Sequence, residues 1–176
     1  VFQSATLIDA TAINPRCIRL GPNPTLFYLD TSSSPYLLKN IQVDINNPIS
    51  FNSANTIVSS VNATNPNYDI AINSADADAG NAVFAYNSNS SNTLGVGYIT
   101  TEGVVGGPSN GYPAVVTVGS TNSNDLITIT TDQVNTDPTD SERIYVAYSS
   151  RTASAGLKVK RFKGILTVEA THTVEG

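Results

Sequence analysis

Short runs of β-branched and aromatic residues, each broken by Asn, Ser, Gly or Pro, recur along the whole chain. Residues 41–45 alternate cleanly, with Ile41, Val43 and Ile45 on one face and Gln42 and Asp44 on the other, as a half-buried strand requires. Residues 25–30 read as a core strand, and 56–61, 68–72 and 82–86 as three short strands that polar loops space at the ~8–12-residue rhythm of β-sandwiches. The pattern further predicts strands over 36–45, 94–100, 114–118, 126–131, 143–148, 157–162 and 165–174. Gly95 and Gly97 mark a bulge or a close backbone approach within the 94–100 strand. Gly21-Pro22-Asn23-Pro24 is a turn, 102–113 a long Gly- and Pro-rich loop, and 135–141 has room for one helical turn. No amphipathic helix of ordinary length is present. The expected fold is all-β, a β-sandwich or jelly-roll-like double sheet of about a dozen strands.

Residues 1–13 stand apart. They are β-branched and small, free of Gly and Pro, and end at Asn14-Pro15. As a strand they carry Ala5, Leu7 and Ile13 on one face and Phe2, Ile8 and Ala10 on the other. Both faces are partly apolar, which suits a strand held between two sheets. Either this is the first strand of the chain's own sandwich, or it is an arm that completes the sheet of a neighbouring copy. The division expected under the second reading is an arm, 1–14, and a sandwich domain, 15–176.

Composition narrows the class. Charged residues make up 13% of the chain, about half the usual soluble share. In their place are 39 Ser and Thr and 19 Asn, a surface that stays hydrated with little dependence on salt or pH. No Met occurs, even at position 1, and no run approaches the ~20 apolar residues of a membrane span. The expectation is a processed, secreted protein at the cell surface, with no membrane span. Type IV pilins and archaeal flagellins keep a long apolar N-terminal helix, which this chain lacks. Cys17 is alone, so no intrachain disulfide forms, and a small buried residue is the expected role.

Charge is unevenly placed. Between residues 40 and 142 there are ten acidic side chains and no Lys or Arg, whereas six of the nine basic residues fall within 143–163. An acidic body with a basic band can orient head-to-tail association. A solvated edge strand guarded by Lys is the other account. The acidic body argues against nucleic acid as a partner.

Catalytic chemistry finds no foothold. His172, the sole histidine, lies on the last strand with no nucleophile elbow nearby, so a surface position is expected. One His and one Cys cannot build an ordinary zinc site. Asp76–Asn81 and Asn122–Asp125 offer oxygen ligands, but without the terminal Glu of an EF-hand they read as turn residues. Neither an enzyme nor a cofactor is expected. Sequons at Asn62 and Asn89 are candidates for N-linked glycans.

In overall style the chain resembles subunits of archaeal extracellular filaments of the donor-strand type, the thread and bundling-pilus proteins. The shared features are a strand-like N-terminal arm, about a dozen β-strands, low charge and abundant Ser, Thr and Asn. The resemblance implies a secreted, often glycosylated sandwich lacking one strand, completed by the N-terminus of the next subunit. The partner would be copies of the chain itself in a homopolymer, with Phe2, Ala5, Leu7, Ile8, Ala10 and Ile13 as donor-strand residues. A self-contained secreted sandwich, acting as a carbohydrate-binding or adhesion module or as a capsid shell protein, is the alternative.

Overall fold

The structure, a computed structural model, describes residues 7–44, 51–72, 82–90, 93–106, 115–119, 126–132, 143–149, 156–162 and 168–174. These hold twelve strands in three four-stranded antiparallel sheets. The first sheet contains β1 (Ala12–Leu20), β2 (Asn23–Asp30), β3 (Tyr36–Gln42) and β4 (Asn55–Val61). The second contains β5 (Tyr68–Ile72), β6 (Ala82–Asn87), β7 (Thr93–Ile99) and β8 (Val115–Gly119). The third contains β9 (Leu126–Thr131), β10 (Ile144–Ser149), β11 (Leu157–Phe162) and β12 (Val168–Val174). Within each sheet the strands lie side by side in chain order. The all-β expectation holds. The sandwich-like expectation of about a dozen strands holds with it, and the strands run as three sequential meanders.

The second sheet is the middle layer, because its two faces feed two cores. Phe84, Tyr86, Tyr68 and Ile70 pack with Phe27, Leu29, Leu38 and Val61 of the first sheet. Val83, Ala85, Val96 and Tyr98 pack with Ile129, Ile144, Val146 and Phe162 of the third. Alternate residues of β6 therefore serve opposite cores, and all six of its residues are buried. A strand covered on both faces reads as a continuous apolar run, as Ala82–Tyr86 does. By contrast, β9 is covered on one face and keeps a strict alternation of exposed and buried residues.

Gly95 of β7 is explained by close approach. Tyr86 is paired with Gly95, and a Cβ on Gly95 would lie 2.0 Å from the Tyr86 ring. Gly97 is the register partner of Phe84. The Tyr86 ring thus lies over a position without a side chain, and the core it enters stays closed.

Three local expectations are corrected. Asn14-Pro15 does not end a strand; it lies inside β1, as an irregularity in the register with β2 between Ile13 and Arg16. Asn14 there has a φ of 52°, which Asn tolerates better than most residues, and Pro15 needs no ladder partner at a bulge on an edge strand. Cys17 is exposed on this edge strand and is not a core residue. Of the basic band, the described Lys158, Lys160 and Arg161 do not guard an edge, since they lie on β11, between β10 and β12. Lys160 donates to Thr171 Oγ1 at 3.3 Å. Its ammonium is held below the usual lysine range by burial and by Lys158 alongside. The helical turn at 135–141 and the oxygen-rich loops at 76–81 and 122–125 lie outside the described residues.

Candidate functional site: the N-terminal segment and its anchorage

Ala12 and Ile13 pair with Asp30 and Leu29 within the chain's own first sheet. Immediately before them, Thr11 is pinned from two sides. Its carbonyl accepts from Thr31 N at 3.2 Å and from Thr31 Oγ1 at 3.0 Å. Its hydroxyl lies 2.6 Å from Asp9 Oδ1 and 2.8 Å from Asp30 Oδ1. One hydroxyl carries one proton, so it donates to one carboxylate at a time, and the other faces it without that bond. Asp9 has a further donor in Thr11 N, at 2.8 Å. Asp30 has two: Ser32 N at 2.8 Å and Lys39 Nζ at 2.5 Å.

Asp30 sits at the end of β2 and is almost fully buried, so only such partners keep it charged. The Lys39 ammonium and the Ser32 bonds hold its carboxyl well below the ordinary aspartate range, and Lys39 is pushed up in return. Hydrogen bonds from Thr11 likewise depress Asp9. The cluster is a polar latch at the base of the N-terminal segment.

Upstream of the latch the segment is only partly covered, most openly at Leu7. Leu7 is 80% exposed, and Ile8 and Ala10 are exposed as well. Ile13, also exposed, belongs to β1. Phe2 and Ala5 lie outside the described residues. Of the expected donor residues, then, Leu7, Ile8 and Ala10 precede the latch, and Ile13 follows it.

A second joint fixes β1 to the other sheets. Tyr68 OH donates to Asn14 O at 2.6 Å, and Asn14 Nδ2 donates to Pro66 O at 3.1 Å. Burial pushes the Tyr68 hydroxyl far above the usual tyrosine range, so it remains a donor at any ordinary pH. Next to it, Asp69 ties three sheets together. Its Oδ1 lies 3.7 Å from Arg16 Nε on β1, and its Oδ2 accepts from Thr128 Oγ1 at 2.9 Å and Ile129 N at 3.1 Å on β9. Thr131 Oγ1 adds a bond to Ile72 O at 3.2 Å. The free edge of β5 is closed by its own chain.

No protein-family model, no curated protein and no solved structure matches this chain. The reading of function therefore rests on geometry.

The two sequons meet at one end of the fold. Asn62 N donates to Asn87 O at 2.9 Å and Asn89 N to Ser60 O at 2.7 Å, which brings the end of β4 against the end of β6. Asn89 is exposed. Asn62 is half-buried, with Oδ1 accepting from Thr64 N and Asn65 N in an Asx turn. Among the described residues, one shallow hollow of about 280 Å³ lies beside Asn14, Arg16 and Tyr68, and another of about 310 Å³ beside Leu126, Ala147, Tyr148 and Leu157. Tyr148 is itself buried, so the second hollow offers no aromatic platform. Among the described residues no cluster of three or more His, Cys, Asp or Glu could hold a metal ion, and no helix is long and apolar enough to cross a membrane.

Sequence reasoning located the exposed apolar segment but missed the latch and the Asp69 joint. Their one visible signal was a carboxylate at the end of a predicted core strand, Asp30, and another at the second position of a short strand, Asp69.

Proposed function

We propose that this protein is a structural subunit of an extracellular, pilus-like filament, joined head to tail by insertion of its N-terminal strand into the next subunit. The observation that carries the proposal is the exposure of Leu7 and Ile8 directly upstream of a built anchorage at Thr11. An apolar, strand-forming segment left in water has unfavourable hydration and unpaired backbone groups, and both are relieved when it joins a sheet. Because Ala12 and Ile13 belong to β1, the transferable strand is the part preceding Thr11. A contact between two different surfaces, arm and acceptor, does not close on itself and propagates into a fibre. Exposed Asn89 would carry a glycan on the outside of such a filament.

The rival account is a self-contained secreted β domain that binds carbohydrate or builds a shell. Negative-stain microscopy of the full chain separates the accounts. Filaments are expected for the natural sequence, and dispersed monomers for Leu7→Asp combined with Ile8→Asp. Monodisperse monomers or closed shells from the natural sequence would remove the filament reading.

A further inference from the structure

The filament reading leaves the acceptor unnamed, and the middle sheet supplies a candidate. Its β5 edge is sealed by Asp69, Thr131 and β1. At the opposite side β7 pairs with β8, and beyond Gly97 with the returning segment 104–106, through the Ile99–Val105 bridge and Gly106 N to Tyr98 O at 3.0 Å. Ile99 pairs with Ala82 on its other side, so 104–106 and β8 form one continuous margin of the sheet.

Burial falls away across this sheet. All of β6 is buried, β7 nearly so, but Val115 and Val116 are only half-buried, Thr117 is exposed and Val104 is 54% exposed. Val115 and Val105 still touch the first core and Val116 the second. Among the described residues no strand lies beyond this margin, and Val115 and Val116 turn apolar side chains to its two faces. Its described residues are Val104, Val105, Gly106 and Val115–Gly119, with no charge and no proline. Edges of natural sheets are usually guarded by one or the other.

We infer that the acceptor for the N-terminal strand is this open margin of the middle sheet, beside β8, in a second copy of the chain. The inference rests on the filament reading. A strand added here must be apolar on both faces, since one meets the first core's margin and the other the second's. The N-terminal segment has that two-sided pattern, with Ala5 and Leu7 on one face and Phe2, Ile8 and Ala10 on the other. A strand docking on an outer sheet would need only one apolar face. Length also agrees: β8 spans five residues, about 17 Å at ~3.4 Å per residue, within reach of the ten residues before Thr11.

The test uses the full-length chain carrying Leu7→Asp and Ile8→Asp, to which a synthetic peptide of residues 1–13 is added, with hydrogen exchange followed by mass spectrometry. Saturating peptide should slow exchange at 115–119 by about tenfold or more, as those amides enter a ladder. Binding should be lost when Thr117→Lys is added, a change at an exposed side chain. Binding that protects β12 or another edge, with 115–119 unchanged, overturns this acceptor and leaves the filament reading standing. A peptide that does not bind at all removes both.

Discussion

On the β5 side, the middle sheet ends against its own chain: one carboxylate, Asp69, accepts from the backbone of β9 and faces a guanidinium on β1, while Tyr68 holds the bulge at Asn14. On the β8 side the same sheet ends in valines, with no charge and with side chains half in water. Both edge strands are antiparallel to their neighbours, and they differ in the side chains that they present. A polar residue that reaches a neighbouring strand's N–H closes an edge; a run of β-branched residues leaves one that another strand can extend. The contrast separates what holds one subunit together from what would join two.

The most disruptive change removes the sheet between the edges. Gly95→Val would drive a side chain into the Tyr86 ring, and a clash this deep in a core costs about 3 kcal/mol or more. Denaturant unfolding should show it, with assembly lost as a consequence. Lys39→Ala comes next. It leaves the buried Asp30 carboxylate without its cation, a loss of about 3 kcal/mol in the same measurement, and it loosens the latch at Thr11. Asp69→Ala should open the sealed edge at about 2 kcal/mol, since Ile129 N–H loses a charged acceptor, yet filaments should still form at low temperature.

Acid provides a graded version of the latch experiment. The carboxyls of Asp9 and Asp30 lie below their ordinary value in the folded chain, so the unfolded chain binds protons first. Their contribution to stability is complete above about pH 3.9 and drains away as pH falls through the lower folded values. In Asp30→Asn the Asp30 share of that acid dependence should disappear from a pH series of unfolding midpoints. Thr117→Lys has the smallest expected effect on folding, within about 0.5 kcal/mol, because the side chain is exposed. It should nonetheless stop assembly, which no change at the sealed edge does.

Periodicity made most strands legible. Residues 68–72, 126–131 and 157–162 fall where the pattern put them, since a half-buried strand writes its faces into the sequence. The number of sheets was not legible, because a continuous apolar run such as Ala82–Tyr86 does not say that two different cores share it. The N-terminal boundary was misplaced for a related reason. Asn14-Pro15 signals an interruption, and whether it ends a strand or bulges it depends on partners such as Tyr68 and Pro66, more than fifty residues away. Asp69 is equally silent in sequence, since its donors arrive from β9 through tertiary packing. The two-sided apolarity of the segment around Leu7 and Ile8 was readable because it is a local property, whereas its exposure was not, since the same pattern suits a strand held between two sheets.

Whether the N-terminal strand of one copy enters the middle sheet of another can be read from a single covalent trap. With Cys17→Ser to remove the native thiol, Leu7→Cys and Thr117→Cys are introduced together and the protein is oxidised under assembly conditions. A non-reducing gel should show a ladder of disulfide-linked copies that collapses to one band on reduction. A single monomer band whose two new cysteines are joined within one chain would show the segment completing its own fold, and strand exchange between copies would be contradicted.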